Sequence, residues 1–313
     1  MLPPNVTGAL PVSYAHLMFE AEIEDTVAFL ESDRALEMIA ADPYWPKWTG
    51  PWWRMLILWE LGEHARIPAR VVRAMVKSID GLIQFFPFDL TQLPAGREPR
   101  ELGCHCALGC IDQVLTACGV DVDRELPWVK PWFERYQMRD GGLNCDESAY
   151  LVTDECPSSM VGTVPVFEAM LRRGRSPFVD RAAQFLRDRE LVKGSPTKHN
   201  ASERVSAEQW RLATFPRFYF YDVLRGATAL ARYAKLAGDP ALAPNRELVR
   251  SLAPDGVVRV GRRAWEKWGT WDRDTTGSWV RLDKAHRFPL LEAVSQIGAP
   301  SDVLTREWQR LSA

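Results

Sequence analysis

All six cysteines of this chain fall between residues 104 and 156: Cys104, Cys106, Cys110, Cys118, Cys145 and Cys156. His105 stands among the first of them, and Asp146, Glu147, Asp154 and Glu155 surround the last. Thiolates, imidazoles and carboxylates are the donors that zinc takes, usually four in a tetrahedron. Turning residues 104–118 at about 100° per residue puts Leu108, Ile111, Leu115 and Cys118 on one helix face and Cys106, Cys110 and Gln113 on another. Cys118 then reads as a small buried apolar residue, and the Cys106 face as the one turned inward. Cys145 follows a D-G-G turn and Cys156 precedes the next apolar helix, so Cys106, Cys145 and Cys156 are expected to converge. Cys104, His105 or Asp154 could complete a zinc site. Buried free thiols and a redox pair are the other readings of the same cysteines. Three ligands with one open position would activate a substrate; four would make a structural staple.

Other candidate residues lie at the starts of apolar helices. Tyr219, Tyr221, Asp222 and Arg225 open one of them. Tyr221 and Asp222 are acid–base candidates; Tyr219 and Arg225 are candidates for holding a substrate. Asp222 and Arg225, three apart, could equally pair with each other. Trp52 and Trp53 follow Pro51 and read either as core or as the wall of an apolar pocket. Asp154 and His105 are further acid–base candidates if burial shifts their pKa.

The elements that position these residues repeat. Five times an apolar helical stretch ends in glycine and is followed by a short loop and a second helix. The glycines are Gly62, Gly119, Gly174, Gly238 and Gly298, spaced 57, 55, 64 and 60 residues apart. Glycine suits a left-handed helix end. The first helices, near 51–64, 105–118, 158–173, 217–237 and 286–297, are apolar almost all round, and 14–31 could add one. The second helices, near 67–86, 124–137, 176–190, 240–252 and 301–312, are amphipathic. Apolar helices need cover on both sides and amphipathic ones on only one. The alternation predicts an all-α fold: an inner ring of helices inside an outer ring, or an open solenoid. The even spacing favours a single α/α toroid domain of about six hairpins over residues 1–313, with a central cavity. Residues 193–215 read as a polar loop or lid, and 253–283 as a Trp-rich irregular connection with a small hairpin.

Residues 137–143, QMRDGGL, resemble the Q-x-x-D-G-[SG]-W repeat of squalene and oxidosqualene cyclases, with Leu143 in place of tryptophan. Cys106–Ala107–Leu108–Gly109, Asp140 to Cys145, Cys156 to Thr163 and FPRFYFYDVLRG at 215–226 resemble pieces of bacterial squalene-cyclase-like or prenyltransferase-like proteins. The resemblance runs from about residue 50 onward. It implies the α/α toroid of terpenoid cyclases and protein prenyltransferases, and a terpenoid-type substrate. The chain departs from those families at their catalytic motifs. Asp121–Val122–Asp123–Arg124 lacks the last acid of D-x-D-D, and no D-D-x-x-D is present. Asp154–Glu155–Cys156 resembles the zinc-binding D-x-C of prenyltransferase β-subunits, but Phe218, Tyr219 and Tyr221 stand where the distant histidine is expected.

The chain has 313 residues, 46% hydrophobic and 26% charged, with a formal net charge of −2. No basic stripe points to nucleic acid. No signal peptide and no membrane-spanning run is apparent, so a cytoplasmic protein with free or metal-bound cysteines is expected. P-loop, Rossmann, H-E-x-x-H and G-x-S-x-G motifs are absent. The sequence points to a lyase, cyclase or transferase acting, with zinc, on a small, partly apolar molecule. The alternative is a non-catalytic ligand-binding or scaffold protein with a structural zinc.

Overall fold

The computed structural model describes residues 18–312. It is about half helical, with fourteen α-helices and one two-stranded sheet among the described residues. The apolar helices are α1 (Glu20–Glu31), α3 (Pro51–Glu60), α5 (His105–Ala117), α8 (Met160–Leu171), α11 (Val223–Ala237) and α13 (Pro289–Val294). Each packs on the next from α1 through α3, α5 and α8 to α11, and α13 packs on α1. The amphipathic α2 (Asp33–Ala41), α4 (Ala69–Asp80), α9 (Pro177–Asp188) and α14 (Asp302–Ser312) complete the long elements. Shorter helices are α6 (Val122–Glu125), α7 (Val129–Tyr136), α10 (Ser202–Ala207) and α12 (Arg246–Ser251). No helix of the described residues is long and apolar enough to cross a membrane.

Burial follows the apolar pattern. In α8 every residue except Val161 is buried, whereas α4 buries only Val71, Val72, Met75 and Ile79. Gly62, Gly119, Gly174, Gly238 and Gly298 all adopt positive φ, between 67° and 99°, at or just after helix ends. That is the left-handed stop anticipated from their spacing. The expected helix over 124–137 is two pieces, α6 and α7, interrupted around Pro127. The expected helix at 217–237 begins only at Val223, because Asp222 caps it by accepting from the Arg225 amide at 2.8 Å. Residues 14–17 of the expected first helix lie outside the described residues.

Helices α5 and α8 make the closest pair. A Cβ at Gly109 would lie 2.6 Å from the backbone of Pro165 and Val166, so only glycine fits at the crossing. Pro165 sits inside α8, and the Gln113 side chain donates to the carbonyl oxygens of Pro165 and Gly109 at 3.3 and 3.1 Å.

Residues 193–215 are tied down by side chains. Glu203 of α10 accepts the Met160 amide at 2.6 Å and so caps α8, and Glu155 accepts the amides of Lys198 and His199. The Trp-rich connection contains the hairpin, β1 (Thr270–Arg273) antiparallel to β2 (Trp279–Leu282), with Thr270 opposite Leu282.

A buried ionic network holds residues 215–225. Arg225 is 3% exposed. It donates to both oxygens of Glu168, the shortest contact being 2.7 Å, and to the carbonyls of Phe218 and Phe220 at 2.9 Å. Arg217 pairs with Asp222 and Glu307, while Glu60 accepts the amides of Arg217 and Phe218. Replacing Arg225 by Met would strand Glu168 and two carbonyls in the core. We expect Arg225→Met to lose about 3–5 kcal/mol of unfolding free energy, measured by chemical denaturation. A loss under about 1 kcal/mol would show that the network carries little.

Candidate metal centre

The N-terminal end of α5 gathers three cysteines. Cys104 is the N-cap residue, and Cys106 lies in the first turn. Cys145 arrives from the D-G-G turn. There Asp140 accepts from the Gly142 amide and from Ser158 Oγ, and Gln137 donates to the Gly141 carbonyl. Leu143 then bridges to Ser159 at the start of α8, and its amide donates to Thr163 Oγ1 at 2.8 Å. The chain leaves this turn with Cys145 facing α5, and the Cys106 amide donates to Cys145 Sγ at 3.2 Å.

The sulfurs of Cys104, Cys106 and Cys145 all lie within 4.8 Å of one another, and Cys104 and Cys106 Sγ are 3.5 Å apart. Tetrahedral Zn–S bonds of about 2.3 Å put neighbouring sulfurs about 3.8 Å apart. The trio therefore fits one soft ion with little movement. Cys106 is buried, while Cys104 and Cys145 are partly exposed, so the group reaches the surface. Hydrogen bonds from the Cys106 and Cys145 thiols hold Cys104 well below the usual thiol range; the Ala107 amide and the Lys47 ammonium add to this. Burial and the shared proton push Cys106 up. The helix N-terminus likewise favours the thiolate form of a sulfur placed there.

The rest of the setting is aromatic. Tyr44, Trp45, Trp48 and Tyr219 surround the Lys47 side chain, whose Nζ donates to Tyr219 Oη at 3.4 Å. Burial pushes the phenols of Tyr44 and Tyr219 up. Trp48 packs on Phe218 and Phe220, with centroids 5.2 and 5.6 Å apart, and Trp53 lies edge-on to Phe218.

The expected ligands divide. Cys106 and Cys145 meet, with Cys104 as the third member. Cys156 and His105 are not in the group. Cys156 lies ahead of α8, partly exposed, and Asp154 is exposed. His105 points the other way from its neighbours, into a cage of Phe86, Trp132, Phe133, Tyr136 and Tyr150. Its Nδ1 bonds the Asn144 carbonyl at 2.8 Å, and its Nε2 is buried without a partner. The bond must be donated to the carbonyl, so the neutral ring carries its proton on Nδ1. His105 thus pins the chain beside Cys145 to the helix that carries Cys104 and Cys106.

The other candidates are built into the core. Tyr221 Oη donates to the Leu191 carbonyl at 2.7 Å. Asp222 caps α11 and holds Arg217, and it borders a cavity of about 210 Å³ with Trp210, Leu252 and Val258. Arg225 is spent on Glu168. Trp52 is 1% exposed, and Trp53 donates to the Tyr44 carbonyl at 2.9 Å. Of this set Tyr219 alone meets Lys47. Ser148, His199 and Asp146 also cluster, but the serine and the carboxylate both approach His199 Nε2, at 3.5 and 3.0 Å, which is not the relay of a nucleophilic triad.

Sequence reasoning passed over Lys47 and Tyr44. The only local signal was a lysine inside the aromatic run YWPKW. No protein family, no characterised protein and no solved structure matches the chain.

Burial lowers His105 from 6.5 to about 4. The unfolded chain therefore binds this proton first as the pH falls. Stability contributed by neutral His105 is complete above about 6.5, is lost between about 6.5 and 4, and does not fall further below that. Over this window we expect metal-free wild type to lose about 3 kcal/mol relative to His105→Phe, read from urea unfolding at pH 7 and pH 4. A constant difference between the two proteins would refute the assignment.

Proposed function

We propose that this chain is an α/α toroid that binds one zinc ion through Cys104, Cys106 and Cys145. We further propose that it is an enzyme of the lyase, cyclase or transferase class, acting beside that ion on a small, partly apolar molecule. The observation that carries the reading is the meeting of three sulfurs, and three only, at a partly exposed helix N-terminus. The toroid is supported by the succession of contacts from α1 to α11 and by amphipathic helices set outside apolar ones. The terpenoid character of the substrate rests on the resemblance of residues 137–143 and 215–226 to squalene-cyclase-like proteins.

Three thiolates are a soft donor set that suits zinc. Bound with fewer than four protein ligands, zinc supplies a Lewis acid. The chain supplies the rest: aromatic faces from Tyr44 and Trp45 for an apolar body, and hydrogen-bond donors from Lys47 and Tyr219 for a polar end. A second reading draws on the packed rings of Trp48, Trp53, Phe218 and Phe220, which leave those side chains buried. It is a scaffold in which the ion is a staple.

The test is metal analysis of tag-free protein, followed by cobalt substitution. We expect about one zinc per chain, lost in Cys104→Ser and Cys145→Ser and retained in Cys156→Ser. Cobalt spectra should show three sulfur ligands and one exchangeable position. No metal, or metal retained in Cys145→Ser, would overturn the site. Four fixed protein ligands would favour the scaffold.

A further inference from the structure

Two of the gathered sulfurs are direct neighbours. Cys104 and Cys106 Sγ lie 3.5 Å apart, and Cys145 Sγ belongs to the same group within 4.8 Å. Side chains two apart inside a helix point to opposite sides. Cys104 escapes that rule because it is the N-cap residue, with extended backbone at φ −125° and ψ 151°, while Cys106 stands in the first turn. Helix geometry puts Cα atoms two residues apart at about 5.4 Å, inside the range that a disulfide spans. The sulfurs need to close only from contact to the bond length of about 2.0 Å. His105, the residue between them, is out of the way. Its ring lies against Phe86 and Tyr136 and bonds the Asn144 carbonyl at 2.8 Å. Cys104 is partly exposed, so an oxidant in solution reaches this pair. Cys110 is buried and donates to the Phe218 carbonyl at 3.1 Å, and Cys118 and Cys156 stand outside the group.

We infer that Cys104 and Cys106 form a reversible disulfide under hydroperoxides, and that this bond is a redox gate on the metal centre. The gate rests on the proposed zinc site; the disulfide does not. In the first step the Cys104 thiolate attacks one oxygen of hydrogen peroxide. The O–O bond breaks, Cys104 becomes a sulfenic acid and hydroxide leaves. In the second step the Cys106 sulfur attacks the Cys104 sulfur. The S–S bond forms, the S–O bond breaks, and the departing hydroxide leaves as water with the Cys106 proton. Two thiols and one hydrogen peroxide thus give one disulfide and two waters: the sulfurs lose two electrons and the peroxide oxygens gain them. Disulfide sulfurs are no longer anionic donors, so Cys145 is the one thiolate left in the group, too few to hold zinc. A bridge across a single residue is strained, and strained disulfides are readily reduced, which makes the gate reversible.

The experiment treats the metal-free full chain with hydrogen peroxide, blocks the remaining thiols by alkylation and digests with trypsin. Cys104 and Cys106 share the peptide 101–124 with Cys110 and Cys118, whereas Cys145 and Cys156 lie on 140–172. We expect the unfolded, oxidised protein to titrate two thiols fewer than the six of the reduced chain. The 101–124 peptide should lose the mass of two hydrogens, with fragment ions placing the bond between 104 and 106. Cys104→Ser and Cys106→Ser should abolish it, and Cys145→Ser should retain it. A disulfide that joins the two peptides, a bond to Cys110 or Cys118, or six thiols that stay reactive would overturn the pair. The zinc-loaded chain is then oxidised beside a chromophoric chelator. We expect zinc to appear in step with thiol loss and to be taken back after reduction with dithiothreitol. Oxidation of Cys104 and Cys106 with zinc retained would overturn the gate. A wild type that binds no zinc yet forms the disulfide refutes the metal centre and the gate with it, and upholds the pair.

Discussion

The close crossing of α5 and α8 at Gly109 is the constraint on which the rest depends. With a side chain at this position the two helices could not approach, because the space is taken by the backbone of Pro165. The approach brings the starts of both helices to the same end of the pair. The 137–159 connection is then short enough to bridge them, through Leu143 and Ser159, and Cys145 comes down onto the first turn of α5. Gly162 serves the same end, since a Cβ there would meet the Leu143 carbonyl at 2.7 Å. The three-sulfur group is thus a product of helix packing, not of a local metal-binding loop.

Two polar systems flank this crossing and do different work. On one side Glu168, Arg225, Cys110 and Gln113 form a buried set in which every charged group has a partner. Such networks add little net stability over apolar packing, yet they penalise any other arrangement of the same segments. Here they fix the backbone of 215–221 and with it Tyr219. On the other side the cysteines and Lys47 are less completely satisfied and partly open. Groups that are paired in the native state hold structure; groups left with spare capacity near the surface are the ones with something to bind. That contrast separates the Asp222–Arg225 region from the cysteine centre more firmly than residue type does.

Much of the architecture is legible in the chain before any coordinates. The apolar and amphipathic helices alternate because a helix covered on all sides and a helix covered on one side need different sequences, and the regular glycines mark ends that only a residue without Cβ forms cheaply. The concentration of cysteines likewise marks the region where three of them meet. The misplacements have one cause. Asp222 and Arg225 read as chemistry because acids and bases at a helix start can do chemistry; Asp222 instead holds Arg217 just before it, and Arg225 holds Glu168, far away in sequence. Cys156 and Cys104 both precede an apolar helix, and spacing cannot say which of the two turns toward Cys145.

What the sequence by itself determined was therefore periodic and local: helix type, helix ends, the D-G-G turn at Asp140 and the soft-donor character of residues 104–156. These follow from side-chain patterns within a few residues of each other. What only the tertiary structure decided was convergence. His105 lies between two of the gathered cysteines, yet its ring enters an aromatic cage formed by residues as distant as Phe86 and Tyr150. Lys47 lies far from Tyr219 in sequence, yet its ammonium meets the Tyr219 hydroxyl and ring. A helix turns adjacent residues about 100° apart, so neighbours in sequence diverge. Packing of distant segments then chooses which of them meet.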